Sequence, residues 1–177
     1  MTLSYHAFGV NEFAARFPSA LFGLGLILLQ YLFLTRCRGP VIGLFGAAML
    51  LLNLEIIGLS RMALTDSVLI FFTTLSLYGF WLGLYGEGRE RYAMWFFYIG
   101  MALATLTKGP IGFLIPMLAA GLYLWLTRSW SQFRRQGFLV PGLALLLLLA
   151  LPWYLMMLNI HGQRYTTSAQ GDTIGRF

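Results

Sequence analysis

Arg61 and Asp66 lie five residues apart in the stretch SRMALTDS, Lys108 stands alone in LTKGPIG, and Asp172 and Arg176 fall in GDTIGRF. Each sits at the edge of an apolar run, and Glu55 lies inside one. Ionisable groups are costly in hydrocarbon, so every one of them is a candidate for function or for internal pairing. A lysine or arginine in such a place can hold a phosphate through charge-assisted hydrogen bonds, and a carboxylate can orient or deprotonate a hydroxyl. On a continuous helix Arg61 and Asp66 would point roughly 140° apart. A turn between them would let them converge.

Plainer readings stand beside these. Asp66 can cap a helix while Arg61 snorkels to the headgroups. Lys108 can complement the dipole of a helix that ends at Gly109, with Pro110 opening the next one. His6 and His161 are lone, water-edge histidines, too few to argue for a metal, although one of them could join carboxylates such as Glu55 around a divalent ion. Cys37 is the single cysteine, which excludes an intrachain disulfide and a cysteine-based cluster. Between two arginines at a membrane edge it reads as an inert boundary residue.

The elements that must position these residues are apolar. Hydrophobic residues make up 59% of the 177 and charged residues 10%, too little polar surface to wrap a water-soluble globule. The fold class expected is an all-α, polytopic transmembrane helix bundle of about six spans. A hydrocarbon core of about 30 Å takes about 20 residues of helix, and runs of that order cover residues 18–35, 41–59, 67–85, 93–107, 111–126 and 138–158. The fourth and fifth are short and could form a re-entrant hairpin, with both ends on one side either way. On a straight second span, Glu55 would lie about 7 Å below the helix end. The first run reads as a retained span, because no basic leader precedes it and no small-residue cleavage site follows.

Residues 1–17 read as an external interfacial segment, with Asn11 capping a short helix, Glu12 and Arg16 paired at i,i+4, and Pro18 opening the first span. Gly79 and Gly83 form a small-xxx-small pattern suited to close helix approach within the chain. Pro116 and Pro152 lie inside spans. Residues 159–177 read as an external loop cut short, and the abrupt ends read as a piece of a longer protein.

The net charge of +6 is explained by topology rather than by nucleic acid, since no basic run alternates with aromatics. Arg36, Arg38, Arg89, Arg91, Arg128, Arg134 and Arg135 fall on one side; Arg16, Arg61, Lys108, Arg164 and Arg176 fall on the other. The positive-inside rule places the first group in the cytoplasm. Glu55, Arg61, Asp66, Lys108, Asp172 and Arg176 then share the non-cytoplasmic face, where a lysine is disfavoured by that rule and calls for a ligand such as a lipid phosphate.

Three stretches resemble the polyprenyl-phosphate-dependent glycosyltransferases of the GT-C type, the clan of the protein O-mannosyltransferases and lipid A aminoarabinose transferases: FGVNEFAARFPSAL, SRMALTDSVLIFF and LATLTKGPIGFLIP. GDTIGRF is similar to the ending of a later external loop. The resemblance implies an integral enzyme of the bacterial plasma (inner) membrane that moves a sugar from a polyprenyl-phosphate donor to a lipid or protein acceptor on the periplasmic or external face. It makes Asp66 the active-site acidic position and Lys108 a contact to the donor phosphate; from their charge and their place on the same face, Arg61, Glu55 and Arg176 are expected as further substrate-binding residues. The clan's main catalytic acid lies in an Asp-Glu motif of an earlier external loop, upstream of what this chain matches, so the chain alone is expected to be inactive. A transporter or flippase-like carrier for an anionic lipid, or a noncatalytic pseudoenzyme, are the alternatives. The clustering of charge at one face and the lack of a visible repeat disfavour transport.

Overall fold

The structure, a computed structural model, describes the backbone of residues 2–62, 65–86 and 88–173, and their side chains except at positions 2, 3, 7, 88, 89, 136, 158 and 161–173. Among the described residues every regular element is a helix: α1 (Thr2–Phe8), α2 (Glu12–Arg38), α3 (Pro40–Leu51), α4 (Leu54–Arg61), α5 (Asp66–Tyr85), α6 (Met94–Lys108), α7 (Pro110–Thr127), α8 (Trp130–Gln136) and α9 (Leu139–Thr173), with a 3₁₀ turn at Gly88–Ala93 before α6.

Among the described residues four helices are long and apolar enough to cross a membrane: α2, α5, α7 and the Leu139–Met157 part of α9. The expected second span is not straight. It breaks into α3 and α4, bent by 62°, because the Asn53 side chain accepts from the amides of Glu55 (3.0 Å) and Ile56 (3.2 Å) and starts a new helix there. Glu55 is therefore an exposed residue in the first turn of α4, and its expected depth on a continuous span does not hold. The expected fourth span, α6, has 15 residues, or about 22 Å of helix. It is shorter than a straight crossing of about 30 Å, and one face of it is packed against protein: Met94, Phe97, Tyr98, Gly100, Met101, Ala102 and Ala104 are all buried.

The N-terminal region differs from expectation as well. Asn11 caps a helix, its Oδ1 accepting from the Ala14 amide at 2.7 Å, and Glu12 pairs with Arg16 at 3.3 Å. That helix does not stop at Pro18 but runs on as α2 for 27 residues. A proline has no N–H for the carbonyl four residues back, here that of Ala14, and the Ser4 hydroxyl of α1 donates to that carbonyl instead. The rings of Phe8, Phe13 and Phe17 pack at centroid distances of 5.1–5.8 Å and seat α1 on α2. At the other end the backbone of the expected external loop continues α9 as far as Thr173.

The most extensive packing joins α5 to α6. They form an antiparallel hairpin whose close approach rests on Gly79 and Gly83: a Cβ on either would come within 2.7 Å of the backbone nitrogen of Phe97 or Met94. This is the intrachain use the small-xxx-small spacing suggests. The buried Ser76 hydroxyl donates to the Phe97 carbonyl at 2.9 Å across the same seam. Phe80, Leu84, Met101, Ala120, Leu124 and Leu146 extend the core into α7 and α9. The outward faces keep large apolar side chains exposed, among them Leu24, Leu28, Phe45, Met49 and Leu148, as a lipid-facing surface requires.

Candidate functional site

The open end of the α5–α6 hairpin brings together two of the charges singled out in the sequence, Asp66 and Lys108. Asp66 is the first residue of α5, placed there because Thr65 takes the capping position without a side-chain cap bond. Its neighbour Ser67 is buried and donates to the Leu59 carbonyl at 2.9 Å, tying the start of α5 to the last turns of α4. Lys108 is the last residue of α6. The chain then turns through Gly109 at φ 71°, a conformation that favours glycine, and re-enters a helix at Pro110. Both parts of the plain reading of TKGP are thus present in the structure.

The lysine does more than complement a dipole. Its ammonium forms an ion pair with the Asp66 carboxylate. The side chains remain 43% and 30% exposed, so a ligand can reach the pair. Asp66 is not the helix cap of its plainer reading; its charge is spent on Lys108 and on the N-terminal end of α5.

The turn carrying Lys108 is held from three directions. The Thr105 carbonyl accepts from the Gly109 amide at 2.7 Å and from the Tyr154 hydroxyl of α9 at 3.2 Å. Thr105 and Thr107 donate back to the carbonyls of Met101 and Leu103. Gly112 lies directly on the Ala104–Thr105 backbone, leaving no room for a side chain. Tyr154 is the residue the sequence reading missed. The available signal is a polar side chain in the otherwise apolar stretch LPWYLMML, which predicts an intramolecular partner.

Arg61, the last residue of α4, is exposed and forms no ion pair among the described residues. Glu55 is exposed one helix length away on α4, and no described contact joins it to Asp66 or Lys108. Arg176 lies outside the described residues, as do the side chains of Asp172 and His161. Among the described residues no three His, Cys, Asp or Glu side chains converge as a metal site, and the carboxylate best placed for one is occupied by an ammonium. The structure thus unites Asp66 with Lys108, ends α4 at an exposed Arg61 close to the start of α5, and leaves Glu55 exposed at the other end of α4, beside the middle of α2.

Comparison with known proteins gives this arrangement a family. The family model described as Dolichyl-phosphate-mannose-protein mannosyltransferase matches residues 2–166. An uncharacterized protein of Aquifex aeolicus is 32% identical over 93% of this chain and 32% of its own length. The undecaprenyl phosphate-alpha-4-amino-4-deoxy-L-arabinose arabinosyl transferase of Pseudomonas paraeruginosa is 32% identical over 88% of this chain and 28% of its own. The crystal structure of ArnT from Cupriavidus metallidurans bound to undecaprenyl phosphate superposes with a TM-score of 0.86 at 25% identity, covering 92% of this chain and 30% of ArnT. The chain thus spans about a third of the length of the curated relatives it matches. On the strength of the family match across nearly all of its residues, together with the shared fold, the chain belongs to the dolichyl-phosphate-mannose-protein mannosyltransferase family.

Proposed function

We propose that this chain is the part of a bacterial inner-membrane glycosyltransferase that receives the phosphate of a polyprenyl-phosphate sugar donor, on the non-cytoplasmic face. The observation that carries the reading is the exposed Lys108–Asp66 ion pair at the end of the α5–α6 hairpin. It is supported by a relative of the same fold whose crystal structure is described as bound to undecaprenyl phosphate.

In the transfer, the acceptor oxygen forms a bond to the anomeric carbon as the bond from that carbon to the phosphate oxygen breaks. The electron pair leaves on the polyprenyl phosphate, and the acceptor proton passes to a carboxylate. Negative charge builds on the phosphate, so a cation aimed at it stabilises the transition state more than the ground state. Lys108 supplies that cation, held in place by Asp66 and by the braced turn beneath it. When the phosphate takes over the ammonium, the Asp66 carboxylate is released to orient the acceptor hydroxyl or accept its proton. Arg61 is a second cation at the same end, and Arg176 would add a third.

The test is sugar transfer from a polyprenyl-phosphate donor by the intact gene product and its Lys108→Ala and Asp66→Asn variants. A loss of turnover in Lys108→Ala of about a hundredfold or more is expected for removal of one transition-state donor. Unchanged turnover in both variants rejects the assignment.

A further inference from the structure

Asp66 holds α6 through Lys108, and the next residue of α5 holds α4. The Ser67 hydroxyl donates to the Leu59 carbonyl at 2.9 Å. Leu59 stands two residues before the end of α4, among the last four carbonyls, where the donors within a helix run out. Ser67 therefore caps the C-terminal end of α4 from a different helix. It is 4% exposed, and a buried hydroxyl that loses its partner is costly, so the bond holds the two helix ends together.

The other side of α4 is fixed as closely. Gly23 of α2 lies against Ser60: a Cβ there would overlap the Ser60 hydroxyl and come within 2.9 Å of the Ser60 Cβ. Ser60 turns its hydroxyl back onto the Ile56 carbonyl at 2.7 Å. Gly23, Leu59, Ser60 and Ser67 border a void of about 10 Å³, about the smallest that holds one water. The last turn of α4 is thus clamped between α2 and α5. Its final residue is Arg61, which is exposed and forms no ion pair among the described residues. The Arg61 backbone lies about 3 Å along the helix axis from that of Leu59, so the clamp sets the root of the arginine side chain.

We propose that Ser67 is a positioning residue for the donor site: by capping α4 from the first turn of α5, it fixes the root of Arg61 relative to Lys108, so that two cations meet one phosphate. This role rests on the donor-phosphate reading of Lys108. Two cations on separate helices share a phosphate only if the helix ends that carry them keep a constant separation, and a shift of about 1 Å is enough to lose much of the effect. One turn of α5 supplies both registers, α6 through Asp66 and α4 through Ser67. Without the cap Arg61 keeps its charge and its exposure and loses its place.

The test is a double-mutant cycle on the intact gene product, read by isothermal titration with undecaprenyl phosphate. Ser67→Ala is expected to weaken binding about fivefold, the factor that one net hydrogen bond sets, and Arg61→Gln to weaken it at least as much. In the Arg61→Gln background Ser67→Ala should cost no further affinity, because no guanidinium is left to position. A serine that only holds the fold together would cost the same factor in both backgrounds, or lower the unfolding temperature and leave binding alone; either result overturns the proposal. Gly23→Ala pushes on α4 from the α2 side and should show the same dependence on Arg61, so it carries the cycle if Ser67→Ala is too unstable to titrate. Lys108→Ala keeps the two levels apart. If that variant binds as the parent does, the donor reading falls and the role of Ser67 with it. If it binds weakly while Ser67 and Arg61 act additively, the donor reading stands and Ser67 has no positioning role.

Discussion

Lys108 and Asp66, 42 positions apart in the chain, close the open end of the α5–α6 hairpin as an ion pair. Both side chains are partly exposed, so the pair adds little to folding, about 1 kcal/mol or less. On the proposed reading its value lies in aiming the ammonium. Lys108→Ala and Asp66→Asn should therefore unfold within a few degrees of the parent in detergent. They should differ in donor binding: Lys108→Ala weakens it, while Asp66→Asn leaves the cation in place and frees it from its competitor, so that donor affinity holds or rises as turnover falls. Isothermal titration with polyprenyl phosphate checks this. Equal weakening in both variants would mean that the pair acts only as a structural clasp.

Tyr154 bears on the same lysine from below. Its hydroxyl donates to the Thr105 carbonyl, which also terminates α6. Tyr154→Phe should cost about 1 kcal/mol, the net worth of one such hydrogen bond, and should lower turnover more than it lowers stability, because the turn carrying Lys108 loses one of its braces. Hydrogen exchange at the Gly109 amide is the direct readout. Unaltered exchange there would separate Tyr154 from the positioning of Lys108.

The hairpin seam gives a prediction with an internal control. A methyl on Gly83 would lie within 2.7 Å of the Met94 backbone, whereas Gly121 on α7 has nothing within 4 Å of its virtual Cβ. Gly83→Ala should destabilise the protein by about 1–3 kcal/mol through overpacking. Gly121→Ala should be neutral or stabilising by up to about 1 kcal/mol, the helix-propensity difference. Thermal unfolding of the two variants in the same detergent decides it.

What the sequence made legible follows from which forces act locally. The Gly79–Gly83 spacing, the Asn11 cap, the Glu12–Arg16 pair and the Lys-Gly-Pro turn were readable because each is fixed by residues within a few positions of one another. The apolar runs gave the helices, since in hydrocarbon the backbone has no other partner. The break at Asn53 was not read: its mean hydropathy is masked by the leucines around it, and only a cap inside an apolar run signals it. The partner of Lys108 was out of reach for another reason. Nothing local tells which of Glu55 and Asp66 faces the lysine, and the choice depends on how α4 bends away from α3. The run of α2 through Pro18 was hidden because its compensation comes from Ser4, in a different helix.

That compensation can be measured as a coupling. In α2 the Ala14 carbonyl has no intrahelical donor because Pro18 lacks an N–H, and the Ser4 hydroxyl supplies one from α1. The bond lies in a buried setting: Ser4 is 7% exposed and Ala14 fully covered. Ser4→Ala should therefore cost about 1–3 kcal/mol, the penalty for stranding a buried acceptor. In a Pro18→Ala background the helix regains its own donor to Ala14, and the same Ser4→Ala change should cost much less. A double-mutant cycle by thermal unfolding should give a coupling of about 1 kcal/mol or more between two residues that are not themselves bonded. Strict additivity would mean that the Ala14 carbonyl is satisfied in some other way, and that α1 is held on α2 by the Phe8–Phe13–Phe17 ring cluster alone.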